Sequence, residues 1–256
     1  MKLSKILVLS VFLTAAGLAF LTAAENAAPV QAAKPAFVPA DQPDVKMKRD
    51  GSPDKGFIAK HEAFLKRGKE GPIGVLFLGD SITEGWTRAK DVWEKNYSSW
   101  KPANFGIGGD RTQHVLWRIA NGELDGIDPK AVILMIGTNN SGDSAENITK
   151  GVLKIITELH AKLPKSKLLV LGIFPRGEDP KNPGVESLRK KMSTVNSALA
   201  KIDDGKQTRY LDIGAKFTGA DGIISKEIMA DFLHPTHKGY EIWAEAMQPL
   251  LSEMLK

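Results

Sequence analysis

The stretch IGVLFLGDSIT, residues 73–83, decides how the rest of the chain is read. Residues 73–78 are a short apolar run ending at a glycine, the pattern of a strand covered on both faces. The run delivers Asp80 and Ser81 into the loop that follows. A serine hydroxyl is a weak nucleophile unless a base takes its proton and donors hold the oxyanion that forms. A base and an orienting acid are on offer in Asp231-Phe-Leu-His234, and candidate donors lie in Gly106-Ile-Gly-Gly-Asp110 and Gly137-Thr-Asn-Asn140.

Working outward, the same kind of apolar run recurs at 103–107, 131–136, 168–174 and 209–213. Between these runs, apolar residues return at helical spacing, as in Ile148, Val152, Ile155, Ile156 and Leu159. Helices are expected over 57–69, 113–120, 148–163, 187–202 and 239–255, with a further helical stretch holding Trp86 and Trp93. Fully apolar strands alternating with amphipathic helices predict an α/β fold with a parallel sheet of about five strands covered on both faces. In such folds ligands bind beyond the carboxyl ends of the strands. That edge is where Ser81, Gly109, Asn139 and His234 are expected to gather.

The chain has 256 residues, a formal net charge of +5 and no cysteine. Two of the positive charges, Lys2 and Lys5, precede an apolar run at 6–21 and the small residues Thr22-Ala-Ala24. That order reads as a cleaved signal peptide over 1–24, and hence as a periplasmic or secreted protein. Without cysteine there is neither a disulfide nor a site for lipid attachment, so the core alone must hold the domain. Residues 25–56 are rich in Ala, Pro, Lys and Asp without periodicity, and read as a flexible spacer or a strap lying on a domain at 57–256. Scattered basic residues, with neither a basic block nor an aromatic stacking motif, argue against a nucleic-acid partner.

Each element of the site has a plainer reading. Gly106-Ile-Gly108-Gly109 resembles a dinucleotide loop, but Arg111 stands where the last glycine of that motif is needed. Asp231, His234 and His237 have the spacing of metal ligands, yet Pro235 interrupts the turn between them and no fourth ligand is evident, so no metal is expected. His61, His114 and His160 lie in helix-like stretches and read as packing or surface residues. Trp86, Trp93, Trp117 and Trp243 read as core or rim residues. Asp80 reads as a cap of the next turn or as an ordering residue of the site.

Taken in order, Gly79-Asp80-Ser81-Ile82, Gly109, Gly137-Thr138-Asn139 and Asp231-x-x-His234 resemble the sequence blocks of the SGNH (GDSL-type) hydrolases. FGIGGDRTQHVLWRIANGEL (105–124) and VILMIGTNN (132–140) are similar to the branch of platelet-activating factor acetylhydrolase isoform Ib catalytic subunits. The resemblance implies a flavodoxin-like three-layer α/β/α fold, a Ser81–His234–Asp231 triad and no cofactor. It also implies an oxyanion hole from the Ser81 and Gly109 amides and the Asn139 side chain, and a homodimer. Ile82, Thr138 and Leu233 adjoin the nucleophile, the oxyanion Asn and the histidine, and are expected to wall a small acyl pocket suited to acetyl groups. The leader makes the animal phospholipid a poor guess, and points toward a carbohydrate ester. An acyltransferase using the same triad and a non-catalytic envelope- or carbohydrate-binding domain stay open. Because His234 must be neutral to act as a base, an esterase would favour neutral to alkaline pH.

Overall fold

The computed structural model describes residues 37–256. The leader read at 1–24 lies outside the described residues. Apolar strands and amphipathic helices alternate as β1 (Val75–Gly79), β2 (Pro102–Gly106), β3 (Ala131–Met135), β4 (Lys167–Leu171) and β5 (Thr208–Leu211) with α1 (Lys55–Lys69), α2 (Ser81–Glu84), α3 (Lys90–Tyr97), α4 (Thr112–Ala120), α5 (Ala145–Lys162), α6 (Pro183–Leu199) and α7 (His237–Met254). The strands form one sheet in the order β2-β1-β3-β4-β5, every pairing parallel.

The strand alternation sorts the core into two layers. Leu76, Leu78, Val132, Leu134, Leu168 and Val170 face one side, where they meet the apolar stripes of α4, α5 and α6. Val75, Phe77, Ile133, Leu169 and Leu171 face the other, against α3, α7 and an aromatic cluster of Trp86, Tyr97, Tyr240 and Trp243. Each of these side chains, taken fully out of water, contributes about 1.5–3 kcal/mol. Covering both faces explains why the inner strands β1 and β3 are buried and without polar side chains along their whole length.

The strand order reverses at β1: the chain steps outward to β2, then crosses back over β1 to β3. At such a switch point the loops after neighbouring strands part and leave a crevice at the carboxyl ends. Residues 80–84, 107–111 and 137–140 all issue there.

Helix starts lie a few residues before the expected ones at 148, 187 and 239. Ser144 accepts from the Asn147 amide at 3.1 Å, Asn182 from Gly184 at 2.9 Å and Thr236 from Gly239 at 3.3 Å. Each helix therefore begins in a polar capping turn that precedes its apolar periodicity. The strands end at Met135, Leu171 and Leu211, short of the expected 136, 174 and 213, because the last apolar residues of those runs belong to the connecting loops.

Residues 37–54, part of the stretch read as either a flexible spacer or a strap, lie packed on the domain. Ala40 is fully buried, and its carbonyl accepts from Thr112 Oγ1 at 2.7 Å. The Val38 carbonyl accepts from Gln113 Nε2 at 2.9 Å, and the Asp44 amide donates to the Gln113 carbonyl at 3.1 Å. A small loop closes through the bridge Met47–Pro53 and delivers Asp54 as the N-cap of α1. Proline and alanine thus signal an extended strap whose backbone groups find partners on α4.

Candidate active site

Ser81 is the first residue of α2, a single turn set directly on the end of β1. Asp80 caps that turn: its Oδ1 accepts from the Ile82 amide at 2.9 Å. From the far side of the sheet end, Tyr240 of α7 donates its hydroxyl to the Ile82 carbonyl at 2.7 Å. Close approach of α2 to β2 needs Gly106, where a Cβ would sit 2.2 Å from the Glu84 amide nitrogen.

The Ser81 Oγ lies 2.9 Å from His234 Nε2, and His234 Nδ1 lies 2.6 Å from Asp231 Oδ2. Asp231 also accepts through Oδ1 from the backbone amides of Leu233 at 3.1 Å and His234 at 2.8 Å. Partial burial pushes the Asp231 carboxyl up, but the bonds it accepts from the His234 ring and backbone outweigh this and hold it below its usual range. The turn is completed by Phe232 at φ +58, a left-handed conformation that a bulky side chain rarely adopts. Its carbonyl accepts from the Gly177 amide at 2.9 Å, which ties the loop to the segment after β4.

Across the crevice, residues 107–110 make a tight turn, with the Asp110 amide donating to the Ile107 carbonyl at 3.1 Å. Gly109 sits at φ +74, as the third position of a type II turn requires. The Gly108 amide is committed to Glu84 Oε2 at 2.7 Å, whereas the amides of Ser81 and Gly109 have no acceptor among the described residues. This commitment of Gly108 separates two neighbours that sequence alone leaves hard to tell apart. Asn139 Nδ2 donates to the Asp110 carbonyl at 2.9 Å and lies 3.4 Å from Asp80 Oδ2. Its position is therefore set by both neighbouring loops.

Beneath these loops is a buried charge network. Asp110 and Arg118 are fully buried, with Arg118 Nε 3.1 Å from Asp110 Oδ2. Arg118 also donates to Glu123 at 2.5 Å, to the Phe105 carbonyl at 3.1 Å and to the Gly79 carbonyl at 3.3 Å. It thus joins the ends of β1 and β2. His61 packs in the same layer, Nδ1 3.4 Å from Glu123. His114 accepts from the Arg111 amide at 3.0 Å, and His160 meets Thr208 at 2.8 Å. Of these supports, Glu84 and Arg118 were not read from the sequence, and neither was Lys46, whose ammonium lies 3.2 Å from Asp110 Oδ1. Glu84 and Arg118 have only helical position as a signal, and Lys46 lies in the strap.

The expected acyl-pocket wall needs correction. Ile82 does not wall an acyl pocket: it is 1% exposed and packs in the core beside Trp86 and Tyr240. A residue that follows Ser81 on a helical turn points back into the protein, not along the crevice. Thr138 is buried too, its carbonyl and Oγ1 each accepting from Arg176 at 3.3 Å, and Leu233 is half-buried against the same core as Ile82. The D-x-x-H-x-x-H residues are spent on separate pairings, His237 lying 2.9 Å from Asp91 rather than beside His234. Among the described residues no group of three or more His, Cys, Asp or Glu is placed to hold a metal ion, and no helix is long and apolar enough to cross a membrane.

The family model of the GDSL-like lipases/acylhydrolases matches residues 77–242. The alpha2 subunit of platelet-activating factor acetylhydrolase IB from Rattus norvegicus is 37% identical over 204 residues, 79% of this chain and 86% of that protein. The alpha1 subunit from Homo sapiens is 37% identical over 207 residues, 81% of this chain and 87% of that protein. A GDSL-like lipase from Bacteroides thetaiotaomicron, 18% identical, shares the fold with a TM-score of 0.61 over 76% of this chain and 98% of that one.

Proposed function

Because the chain belongs to the GDSL-like lipase/acylhydrolase family and is an esterase, we propose that Ser81, His234 and Asp231 carry out the ester cleavage and that the acyl group is short. The observation that carries this reading is the unbroken chain of contacts, 2.9 Å from Ser81 Oγ to His234 Nε2 and 2.6 Å from His234 Nδ1 to Asp231 Oδ2.

Ser81 Oγ attacks the ester carbonyl carbon while His234 Nε2 takes its proton. The carbonyl oxygen becomes an oxyanion facing the Ser81 and Gly109 amides and Asn139. Removing one such donor typically costs about 3 kcal/mol of barrier. The intermediate collapses as His234 gives its proton to the leaving alcohol. Water then attacks the acyl-serine with His234 as base, releasing the carboxylic acid and restoring the Ser81 hydroxyl. Asp231 holds the imidazole so that Nε2 faces Ser81, and stabilises the imidazolium.

An acetyl group is supported by the acetylhydrolases that are 37% identical over most of the chain. The leader read at 1–24 supports an exported enzyme and, with it, an acetylated carbohydrate as the substrate to try first. Hydrolysis of p-nitrophenyl acetate tests the reading. Ser81→Ala is expected to lose at least about 10³-fold in kcat, with wild-type activity indifferent to EDTA. A fully active Ser81→Ala protein would overturn it, and octanoate preferred over acetate would overturn the short acyl group. Product analysis with sugar acceptors separates hydrolysis from acyl transfer.

A further inference from the structure

The proposed oxyanion donor Gly109 N–H belongs to the same peptide group as the Gly108 carbonyl, and that carbonyl is held by a residue from outside the α/β body. Lys46 of the strap donates from Nζ to the Gly108 carbonyl oxygen. The same ammonium lies 3.2 Å from Asp110 Oδ1, and its side chain is 16% exposed. A Cβ on Gly109 would stand 3.2 Å from Nζ, so the cation lies against the turn itself.

Glycine at both central positions of a tight turn leaves the alternative turn types open, and among them types I and II differ by a flip of the central peptide. At 107–110 the central peptide is Gly108–Gly109. Flipping it turns the Gly109 N–H away from the side it now faces and sends the Gly108 carbonyl there instead. An oxyanion would then meet a carbonyl oxygen in place of a donor. The Gly108 N–H, held by Glu84 at 2.7 Å, belongs to the preceding peptide and does not by itself prevent that flip. Lys46 does, since its hydrogen bond exists only in the observed form. A cation on the carbonyl oxygen also polarises the peptide and strengthens its N–H as a donor.

Lys46 is built into place. Its backbone carbonyl accepts from the Asp54 amide at 2.8 Å, closing the loop that ends at the α1 cap. Its ammonium lies 5.9 Å from the centre of the Phe57 ring. We propose that Lys46 is a positioning residue of the esterase, fixing the Gly108–Gly109 peptide in the orientation that makes the oxyanion hole, so that the strap is part of the catalytic apparatus. This rests on the assignment of Gly109 as an oxyanion donor.

The test measures kcat and KM on p-nitrophenyl acetate for the wild type, Lys46→Met, Lys46→Arg and Ser81→Ala, with Tm and circular dichroism for each. Lys46→Met is expected to lower kcat by about 100-fold, the scale of one lost oxyanion donor, with KM within about twofold. Lys46→Arg, which can still donate to the carbonyl, should recover most of that loss. Lys46→Gln, polar but too short to reach Gly108, is the second variant if Lys46→Met does not fold. Retention of wild-type kcat in the folded Met or Gln variant would overturn the proposal. So would a loss confined to KM, which would make Lys46 a substrate contact, or an Arg variant no better than Met. Ser81→Ala separates the two readings: if it stays active the triad assignment falls, whereas if it is dead and Lys46→Met is fully active only the role of Lys46 falls.

Discussion

The two halves of the catalytic crevice are held by opposite means. The nucleophile half, at the ends of β1, β2 and β3, rests on buried polar groups: Asp80, Asp110 and Arg118 are all fully buried. The acid–base half is a surface turn, with the Asp231 side chain 58% exposed and that of His234 23% exposed. Its geometry comes from bonds within four residues and from one strained backbone position at Phe232. An oxyanion hole needs donors fixed before charge develops, in a place where water does not compete. A general base needs to exchange protons with solvent and with a departing alcohol. The difference therefore teaches that the supports should separate: substitutions among the buried polar groups beneath the first half cost folding energy, whereas substitutions in the exposed turn cost rate and little stability.

The largest effect is expected at Arg118. Arg118→Met leaves Asp110 and Glu123 buried without their common cation and frees the Phe105 and Gly79 carbonyls. Breaking a buried pair in this way costs about 3–5 kcal/mol, to be read from urea unfolding. A loss under about 1 kcal/mol would put this network in the class of surface ion pairs and erase the contrast between the halves. Next comes Asp231→Asn, which should leave the urea midpoint unchanged, because the amide oxygen can still accept from the Leu233 and His234 backbone. Replacing the triad acid by an amide costs about 10⁴-fold in kcat where that acid is buried. Asp231 is more than half exposed, and water screens its field, so a loss nearer 10²–10³-fold is expected. A full 10⁴-fold loss would mean that substrate closes over the turn and buries it.

The contrast also explains what could be read in the sequence. The sheet was legible because a strand covered on both faces must be apolar throughout, as 131–135 is. Ser81, Gly109, Asn139, Asp231 and His234 were legible as blocks because each sits at a strand end or in a loop whose residue types are unusual there. Lys46 was not, because a lysine in a Pro- and Ala-rich stretch carries no periodicity, and its meaning comes from a contact 62 positions away in the chain. Arg118 looks like any cation at the end of a helix, and only the fold shows it lying under two strand ends. Ile82 was misread because adjacency in sequence was taken for adjacency in space. On a helical turn, the residue after the nucleophile points about 100° away from it.

The smallest effect sharpens the comparison by its sign. Burial pushes the Asp80 carboxyl from its ordinary 3.8 up to about 7, against the hydrogen bond from Ile82 and with the charge of Asp110 adding to the rise. Between those values the native state holds a proton that the unfolded chain has released, so Asp80 makes stability fall as pH rises from about 4 to about 7. Asp110, pushed up to about 6 chiefly by burial, acts in the same direction. His114 acts oppositely: burial, helped by the charges of Lys46, Arg111 and Arg118, lowers it from 6.5 to about 3. Its contribution grows as pH rises through that range, where the unfolded chain holds the extra proton. The overall curve therefore partly cancels, and only a difference isolates Asp80. Asp80→Asn cannot ionise, so its stability relative to wild type should rise with pH across the window and level off above about pH 8. The amide that it sets against Asn139, where Oδ2 now lies 3.4 Å away, shifts that difference by a constant and leaves its slope intact. Urea unfolding of both proteins at several pH values measures the slope. A flat difference would mean that Asp80 is charged throughout, and that the nucleophile half is held by a buried carboxylate whose desolvation its neighbours fully offset.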